Sequence, residues 1–226
     1  MKKEKNASYR LIPAAGFHLL TPAFDLMCGL MGLGLHFAER VVGAVQIPPT
    51  ARVLDAGCGT GRLAWVVKSG QPAAEVIGLD ADPRVLSIAR RKAAQRDLDV
   101  KFFEGSIERM PFPDGGFDLV FSVLVLHHLP EEIKAQACRE MFRVLRPGGR
   151  AIIADFAPPH GWVASAVATV MRHFERTAEN FAGRVPGMLQ SAGFHSIHEI
   201  FHTAWSITCL EAQKVEVPCG ERSGGA

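Results

Sequence analysis

The chain has 226 residues, of which 48% are hydrophobic and 21% charged, and its formal net charge at pH 7 is +2. These values are typical of one globular domain with a substantial core. The charge is too small to indicate a nucleic-acid-binding surface. The five cysteines include no C-x-x-C pair, which favours reduced thiols and a cytoplasmic location. No uninterrupted apolar segment follows the basic N-terminus, so neither a secretory signal nor an integral membrane segment is expected.

The first 50 residues are markedly apolar, and we expect residues 1–50 to form an N-terminal helical cap. The sequence TPAFD supplies Thr21 as a helix N-cap and Pro22 at the first helical position. Apolar residues then continue to the break at IPPT, residues 47–50. Because residues 11–48 contain few polar side chains, this segment is expected either to pack on the core or to cover an apolar substrate.

From residue 52 onward, short β-branched segments alternate with helical ones. A helix is predicted to begin at Asp82, and another is predicted to run from Pro130 until Pro147 and Gly148 end it. Alternation of strands and helices predicts a parallel sheet with helices on both of its faces. The predicted strands lie at about 52–56, 75–79, 98–103, 117–122 and 149–155.

Three glycines follow the first predicted strand in RVLDAGCGTGRLA, residues 52–64. Their spacing does not fit the dinucleotide pattern G-x-G-x-x-G, because Arg62 occupies the third glycine position, and it does not fit a P-loop either. Asp55 precedes the glycines, where a carboxylate would repel a pyrophosphate but suit a cationic amine. Asp80 ends the second predicted strand, where an acid can accept hydrogen bonds from ribose hydroxyls. The pattern indicates an adenosine-like ligand with a positive group and no phosphate, a description that S-adenosylmethionine meets.

Four segments resemble the class I S-adenosylmethionine-dependent methyltransferases: VLDAGCGTGRLA, VIGLDADP, GSIERMPFPDGGFDLVFSVLVLHHL and MFRVLRPGGRAIIADF. The last two are most similar to the C-methyltransferases of ubiquinone and menaquinone biosynthesis. The resemblance implies an α/β, Rossmann-like fold over residues 51–212, with a seven-stranded, mostly parallel sheet, helices on both faces and an antiparallel last strand. FHSIHEIFHT and AWSITCLEAQK are expected to form its last two strands. Residues 213–226 are expected to be a disordered tail.

The resemblance also implies which residues hold the cofactor. The glycine loop would lie under the methionine part, the acid after the second strand would bind the ribose, and the following loops would contact the adenine and the sulfonium. Relatives usually carry aspartate where this chain has Ser106, and a hydroxyl is a weaker acceptor for the adenine amino group. The residues assigned in this way are Asp55, Gly57, Cys58, Gly59, Gly61, Asp80, Ala81, Gly105, Ser106, Ile107, Ser122 and Val123.

His127 and His128 follow the fourth predicted strand, at the edge where ligands bind in such sheets. Either could be a catalytic base, because histidine titrates near neutral pH, or the pair could only cap the loop and bond to backbone. No metal site is expected. On a helix His195, His198 and His202 would share one face, but their setting favours a strand, on which His195 lies opposite the other two.

The sequence therefore predicts an enzyme that transfers a methyl group from S-adenosyl-L-methionine to a small, apolar or aromatic acceptor by in-line displacement. Its partners are expected to include no nucleic acid, and the apolar N-terminal segment would give access to a lipophilic substrate. Two alternatives stay open. One is a catalytically silent binding subunit of the same fold. The other is a methyltransferase for a thiol or metalloid acceptor, suggested by Cys28 and Cys58. The missing third glycine disfavours an NAD-dependent oxidoreductase.

Overall fold

The structure, a computed structural model, describes residues 34–159, 165, 178–204 and 206–215. The predicted helix start at Thr21 and most of the predicted tail lie outside these residues. The strands are β1 (Arg52–Ala56), β2 (Glu75–Asp80), β3 (Val100–Glu104), β4 (Phe117–Val123), β5 (Leu145–Phe156), β6 (His195–His202) and β7 (Ile207–Gln213). The described helices are α1 (Leu35–Gly43), α2 (Arg62–Gly70), α3 (Pro83–Ala94), α4 (Glu131–Val144), α5 (Ala178–Phe181) and α6 (Val185–Ser191), with a short 3-10 helix at Leu126–His128.

The seven strands form one sheet in the order β3-β2-β1-β4-β5-β7-β6. Strands β1 to β5 pair in parallel, whereas β7 runs antiparallel to both β5 and β6. This confirms the predicted seven-stranded, mostly parallel sheet with an antiparallel last strand. The strand order reverses between β1 and β4, and ligands in open α/β sheets bind at such a reversal, outside the carboxyl ends of the strands.

The sheet lies between two apolar cores, because successive residues of a strand point to opposite faces. In β1, Val53 belongs to the core shared with α1, α2 and α3, whereas Leu54 belongs to the core shared with α4 and α6. Both side chains are fully buried, which explains why the central strands contain consecutive apolar residues. None of the helices in the described ranges has the length and apolar character that crossing a bilayer requires.

Helix α1 is an integral part of the first core. Phe37, Val41, Val45 and Ile47 are all buried there. These residues fall inside the predicted N-terminal cap, so the packing of this core includes the chain from α1 onward. The preceding residues, 1–33, lie outside the described part of the chain.

The predicted end of helix α4 at Pro147 and Gly148 is wrong. The helix ends at Val144, and β5 begins directly at Leu145, whose backbone is already extended with φ −72° and ψ 139°. Proline disfavours a helical backbone at the residue before it, here Arg146. The chain therefore passes from helix to strand without an intervening loop, and Pro147 lies inside β5.

Two side chains of α4, Arg143 and Glu140, hold the loop that follows β3. Arg143 donates from Nη1 to the carbonyl oxygen of Phe112 (2.8 Å) and from Nη2 to that of Met110 (3.0 Å). It also forms a two-pronged pair with Glu140, at 2.7 and 2.8 Å, and Glu140 accepts from the Met110 N–H at 2.8 Å. The hydrogen bond from Arg143 is the main reason why the pKa of Glu140 lies below its ordinary value.

We predict that Arg143→Met lowers the free energy of unfolding by about 1–3 kcal/mol, because charge-assisted hydrogen bonds to two loop carbonyls are lost. The matched control is Arg146→Met. Arg146 forms an ion pair with Asp118, and its side chain is 58% exposed. Because exposed ion pairs contribute little, its loss should cost less than about 1 kcal/mol. Urea unfolding near pH 7 measures both variants.

The Arg143 effect should also depend on pH with a defined sign. Because folding lowers the pKa of Glu140, its ion pair with Arg143 stabilises the fold fully above pH 4.5, the ordinary pKa of this side chain. This stabilisation is lost as the pH falls through the lower pKa of the folded state. The gap between wild type and Arg143→Met should therefore narrow in acid. Equal losses for the two arginine variants at neutral pH would contradict the assignment.

Candidate active site

The structure brings the sequence-predicted site residues to one edge of the sheet, at the carboxyl ends of four neighbouring parallel strands. Loops from distant parts of the chain meet there because parallel strands all end on the same side. The residues after β1 are Gly57, Cys58, Gly59 and Gly61; Asp80 and Ala81 follow at the end of β2; Gly105, Ser106 and Ile107 follow β3; and Ser122, Val123, His127 and His128 follow along β4 and its loop.

Two of the three loop glycines are required by packing within the protein itself. Gly57 has φ +82°, and a Cβ there would lie 2.5 Å from the Val125 side chain. Gly61 has φ +79°, and a Cβ there would lie 3.0 Å from both Ala89 and the Phe102 ring. Contacts this short force neighbouring groups to move. These glycines would therefore be needed whether or not a ligand binds.

Gly59 differs from the other two glycines because it faces open space. A Cβ at this position would meet no protein atom within 4 Å, although its φ of +52° still favours glycine. Its N–H donates to Oδ2 of Asp80 at 2.8 Å, and Oδ1 of Asp80 accepts from the Asp82 N–H at 2.9 Å. Each carboxylate oxygen can accept more than one hydrogen bond. The loop and the acid thus form a cradle whose carboxylate can accept further hydrogen bonds.

The carboxylates of Asp55 and Asp80 give this cradle a preference for cations. Asp55 is buried, and its Oδ2 accepts from the Ala64 N–H in the first turn of α2 at 3.1 Å. Burial raises the pKa of Asp55 to about 7. The hydrogen bond from Ala64 lowers this pKa in part, and the negative charge of Asp80 raises it further. Burial also raises the pKa of Asp80. A positive ligand would favour ionisation of both acids, so the residues present fit the sulfonium and ammonium groups of S-adenosylmethionine.

The loop after β3 supplies a carboxylate beside Ser106, the position at which the resemblance implies an aspartate. The Ser106 hydroxyl donates to the Glu108 carboxylate, and the two residues lie in a tight turn that is closed by the Arg109 N–H donating to the Ser106 carbonyl at 3.2 Å. Ile107, between them, is buried. The acidic acceptor missing at position 106 is therefore present close by in sequence and in space.

The end of β4 is buried and its exit is strained. Ser122 is fully buried, and its Oγ has no hydrogen-bond partner in the part of the chain that the structure describes. Leu124 has φ +58°, a conformation uncommon for a side chain of this size. Such backbone strain concentrates at functional sites. The turn at Leu124 directs the chain into the short helix that carries both histidines.

His127 is held by a carboxylate that our sequence analysis missed. Nδ1 of His127 lies 2.9 Å from Oδ1 of Asp155, near the end of β5. Oδ2 of Asp155 accepts from the N–H groups of Val125 (3.1 Å) and Leu126 (2.8 Å). Both His127 and Asp155 are buried, whereas His128 is partly exposed and its ring centre lies 3.9 Å from that of His127. The reasoning that identified the acids of β1 and β2 applies equally to Asp155 in β5.

The surroundings of Asp155 keep it ionised and thereby fix the His127 tautomer. Burial alone would raise the pKa of Asp155, but the charge and hydrogen bond of His127 outweigh it, and the pKa lies below the ordinary value. A carboxylate can only accept at Nδ1, so the proton of a neutral His127 ring resides there. Nε2 then carries the lone pair. The two histidines therefore have different environments: His127 is buried and bound to Asp155, whereas His128 is partly exposed.

The thiols and the remaining histidines show no catalytic arrangement within the described residues. Cys58, Cys138 and Cys209 are buried free thiols, and burial, the largest cause, raises the pKa of Cys58 well above its ordinary value, which opposes thiolate chemistry. His195 and His198 lie exposed on the predicted strand, β6, but a register shift between them breaks the simple alternation on which the prediction of opposite faces rested. In the described ranges, no three His, Cys, Asp or Glu side chains form a group able to hold a metal.

We predict that Gly59→Ala and Gly61→Ala have different consequences. Both substitutions incur the backbone cost of a positive φ, about 1–2 kcal/mol. Gly61→Ala should lower stability by a further 1–3 kcal/mol or so through contact with Ala89 and Phe102. Gly59→Ala should instead weaken S-adenosylhomocysteine binding at least about tenfold, since its Cβ enters the cradle. Calorimetric titration and thermal unfolding separate the two effects, and a Gly59→Ala protein with wild-type affinity would contradict the cradle.

Comparisons with known proteins agree with this geometry. A family profile described as "Methyltransferase domain" matches residues 53–149. The demethylmenaquinone methyltransferase of Thermus thermophilus is 37% identical over 173 residues, which cover 76% of this chain and 77% of the relative.

Two solved structures share the fold. An S-adenosylmethionine-dependent methyltransferase from Thermotoga maritima matches with a TM-score of 0.66 at 17% identity, covering 87% of this chain and 98% of its own. The cyclase SpnF matches with a TM-score of 0.67 at 18% identity, covering 88% and 93%. The chain belongs to the class I S-adenosylmethionine-dependent methyltransferases, where it resembles the demethylmenaquinone methyltransferase group.

Proposed function

We propose that this enzyme methylates a ring carbon of an apolar hydroquinone and that His127 is its general base. The observation that carries the proposal is the buried His127–Asp155 pair at the carboxyl edge of the sheet, 2.9 Å between Nδ1 and Oδ1. The loop bearing His127 adjoins the glycine loop, because the Val125 side chain lies against Gly57. The name of the Thermus thermophilus relative, demethylmenaquinone methyltransferase, supports a quinone-type acceptor.

The acceptor must be electron-rich at the carbon that gains the methyl group. S-adenosylmethionine supplies a methyl group on a positively charged sulfur, which leaves as a neutral thioether. A quinone ring is itself electron-poor, so the reduced hydroquinone is the reactive form. A phenolic hydroxyl ionises near pH 10 and is neutral at physiological pH. Removal of this proton makes the ring carbon nucleophilic, and the ring hydrogen at that carbon later leaves as a proton. A base is therefore useful at neutral pH, by about 10²–10⁴-fold.

His127 has the environment that this role requires. Asp155 holds the imidazole through Nδ1 and is itself kept ionised, so Nε2 is the nitrogen that accepts the hydroxyl proton. The nearby negative charge then stabilises the imidazolium that forms. Phe156 packs edge-on against the His127 ring, with 4.9 Å between ring centres. An apolar wall beside the base suits an aromatic acceptor, as does the apolar composition of residues 26–38.

The cofactor roles follow from the same edge. We assign the ribose hydroxyls to Asp80, the methionine part to the loop at Gly59, and the adenine amino group to the Ser106–Glu108 pair. The buried Ile107 side chain would supply an apolar contact for the adenine ring. Holding both reactants in register is the main contribution the protein makes to an in-line displacement.

We expect Asp80→Ala to weaken S-adenosylhomocysteine binding by about 1.5–3 kcal/mol, the range for a charge-assisted hydrogen bond. Asp82→Ala is the matched control. Asp82 caps α3 by accepting from the Arg84 N–H at 2.9 Å, so its removal should cost about 1 kcal/mol of stability without a comparable loss of affinity. Isothermal titration calorimetry measures the affinities. If Asp80→Ala bound as tightly as wild type, the ribose assignment would be wrong.

We expect His127→Asn to slow methyl transfer to 1,4-naphthoquinol, kept reduced, by about 10²–10⁴-fold near pH 7. The Asn amide can replace Nδ1 in the bond to Asp155 but offers no base at the Nε2 position. His128→Asn is the control and should lose less than about tenfold. Affinity for S-adenosylhomocysteine should be unchanged in both variants. Equal rates for wild type and His127→Asn would exclude the base, and a product methylated on oxygen would exclude carbon as the acceptor atom.

A further inference from the structure

Lys134, on helix α4, is a fully buried lysine that lies between the third and fourth of the segments that resemble the family. Its Nζ donates to Oε2 of Glu179 at 2.8 Å and to Oδ1 of Asn180 at 2.7 Å. Removing an ammonium group from water is costly and is tolerated only where partners compensate for the lost hydration. Lys134 therefore fixes the positions of two side chains on α5, and one of these, Asn180, is itself buried.

The lysine also determines which way the Asn180 amide points. An ammonium group only donates hydrogen bonds, so the amide oxygen of Asn180 must face Lys134. The amide NH₂ is then directed to the other side, where it donates to Oδ1 of Asp155 at 3.2 Å. A carboxylate only accepts, so this orientation satisfies both ends of the amide. The reversed amide would place donor against donor at Lys134 and acceptor against acceptor at Asp155.

Asn180 thus reaches the same carboxylate oxygen that binds His127. Oδ1 of Asp155 accepts from Nδ1 of His127 at 2.9 Å, from the Phe156 N–H at 2.8 Å and from Asn180. Hydrogen bonds thus connect four polar side chains in series, and all four are buried: Lys134, Asn180, Asp155 and His127. Buried networks in which each member is satisfied hold their groups in one arrangement.

We propose that Asn180, oriented by Lys134, is a positioning residue for the His127 base. It holds the Asp155 carboxylate in the orientation that keeps the proton on Nδ1 of His127 and the lone pair on Nε2. This inference rests on the proposed function for its effect on catalysis, but its effect on the His127 ring does not depend on any acceptor. Neither Asn180 nor Lys134 touches the reacting atoms in this assignment, and both act through Asp155.

Lys134 and Asn180 could instead serve only to hold α5 against α4, because Lys134 also pairs with Glu179. This purely structural role predicts different effects of substitutions. Glu179→Gln is the matched control, since it weakens the ion pair at Lys134 but leaves the path to Asp155 intact. Asn180→Leu, of nearly the same shape, interrupts that path. Lys134→Met interrupts it one step earlier and provides a second variant if Asn180→Leu fails to fold.

The first measurement is the tautomer of His127, read by NMR of protein labelled with ¹⁵N-histidine and assigned by comparison with His127→Asn. Wild type and Glu179→Gln should show a proton on Nδ1. Asn180→Leu and Lys134→Met should show a mixture of tautomers or a shifted Nδ1 signal. A wild-type Nδ1–H signal in folded Asn180→Leu or Lys134→Met protein would overturn the proposal, whatever the acceptor proves to be.

The second measurement is the rate of methyl transfer to 1,4-naphthoquinol between about pH 7 and pH 10, where the phenolic hydroxyl begins to ionise. Asn180→Leu should be about tenfold slower than wild type near pH 7, by analogy with residues that orient metal ligands, and the gap should close towards pH 10 as the base becomes unnecessary. KM should change little. A loss that is equal at all pH values, or shared by Glu179→Gln, would show a structural role only. If His127→Asn is impaired but Asn180→Leu is not, the positioning role fails while the proposed function stands.

Discussion

The parallel pairing of β1 with both β2 and β4 is the constraint on which the site depends. A strand that is buried on both faces and paired on both edges leaves only its ends for function, and the carboxyl ends of parallel neighbours lie together. The strand order reverses between β1 and β4, which is where ligands bind in open α/β sheets. The glycine loop follows one of these two strands, and the loop of His127 follows the other. Their contact between Gly57 and Val125 shows how closely the two are packed.

Three carboxylates stand at this edge, and their surroundings give them opposite properties. Asp55 is buried and Asp80 is partly buried, and for both the loss of hydration outweighs the backbone hydrogen bonds they accept, so their pKa values are raised. Asp155 is buried as well, but it receives hydrogen bonds from several backbone N–H groups and from His127, and its pKa is lowered. The same residue type thus provides a region that favours a cation and a fixed negative charge behind an imidazole. Environments that separate the pKa values of like groups are common at active sites.

Helix α4 supports both sides of the site with two cations placed nine residues, or about 14 Å, apart along its axis. Lys134, near its start, binds α5 and through Asn180 reaches the carboxylate behind His127. Arg143, near its end, binds the carbonyl groups of the loop that follows β3. One helix thereby links the proposed adenine loop to the proposed base. Its packed face is apolar, with Ala137, Cys138 and Met141 fully buried, so neither cation is needed to place the helix on the sheet.

The sequence by itself was sufficient to predict the class of fold, the cofactor and the loops of the site, because each of these leaves a local pattern. Strand periodicity, the Asp82 cap and the acid at the end of β2 are all properties of a few consecutive residues. The end of α4 was predicted wrongly, since Pro147 is accommodated within a strand rather than after a helix. The assignments of individual cofactor contacts and of an N-terminal cap stay predictions.

Only the tertiary structure decided why Gly57 and Gly61 are glycines, that His127 binds Asp155, and that Asn180 lies behind this carboxylate. Asp155 is 28 residues from His127, and Asn180 is 46 residues from Lys134. No periodic pattern connects positions so far apart in the sequence. A lysine that is buried cannot be told from the sequence apart from a lysine on an exposed face of a helix. Their meeting depends on how helices pack against a sheet. Hydrogen bonds between distant side chains form where the solvent has been excluded by that packing, so burial and partner choice are determined together and only in the folded chain.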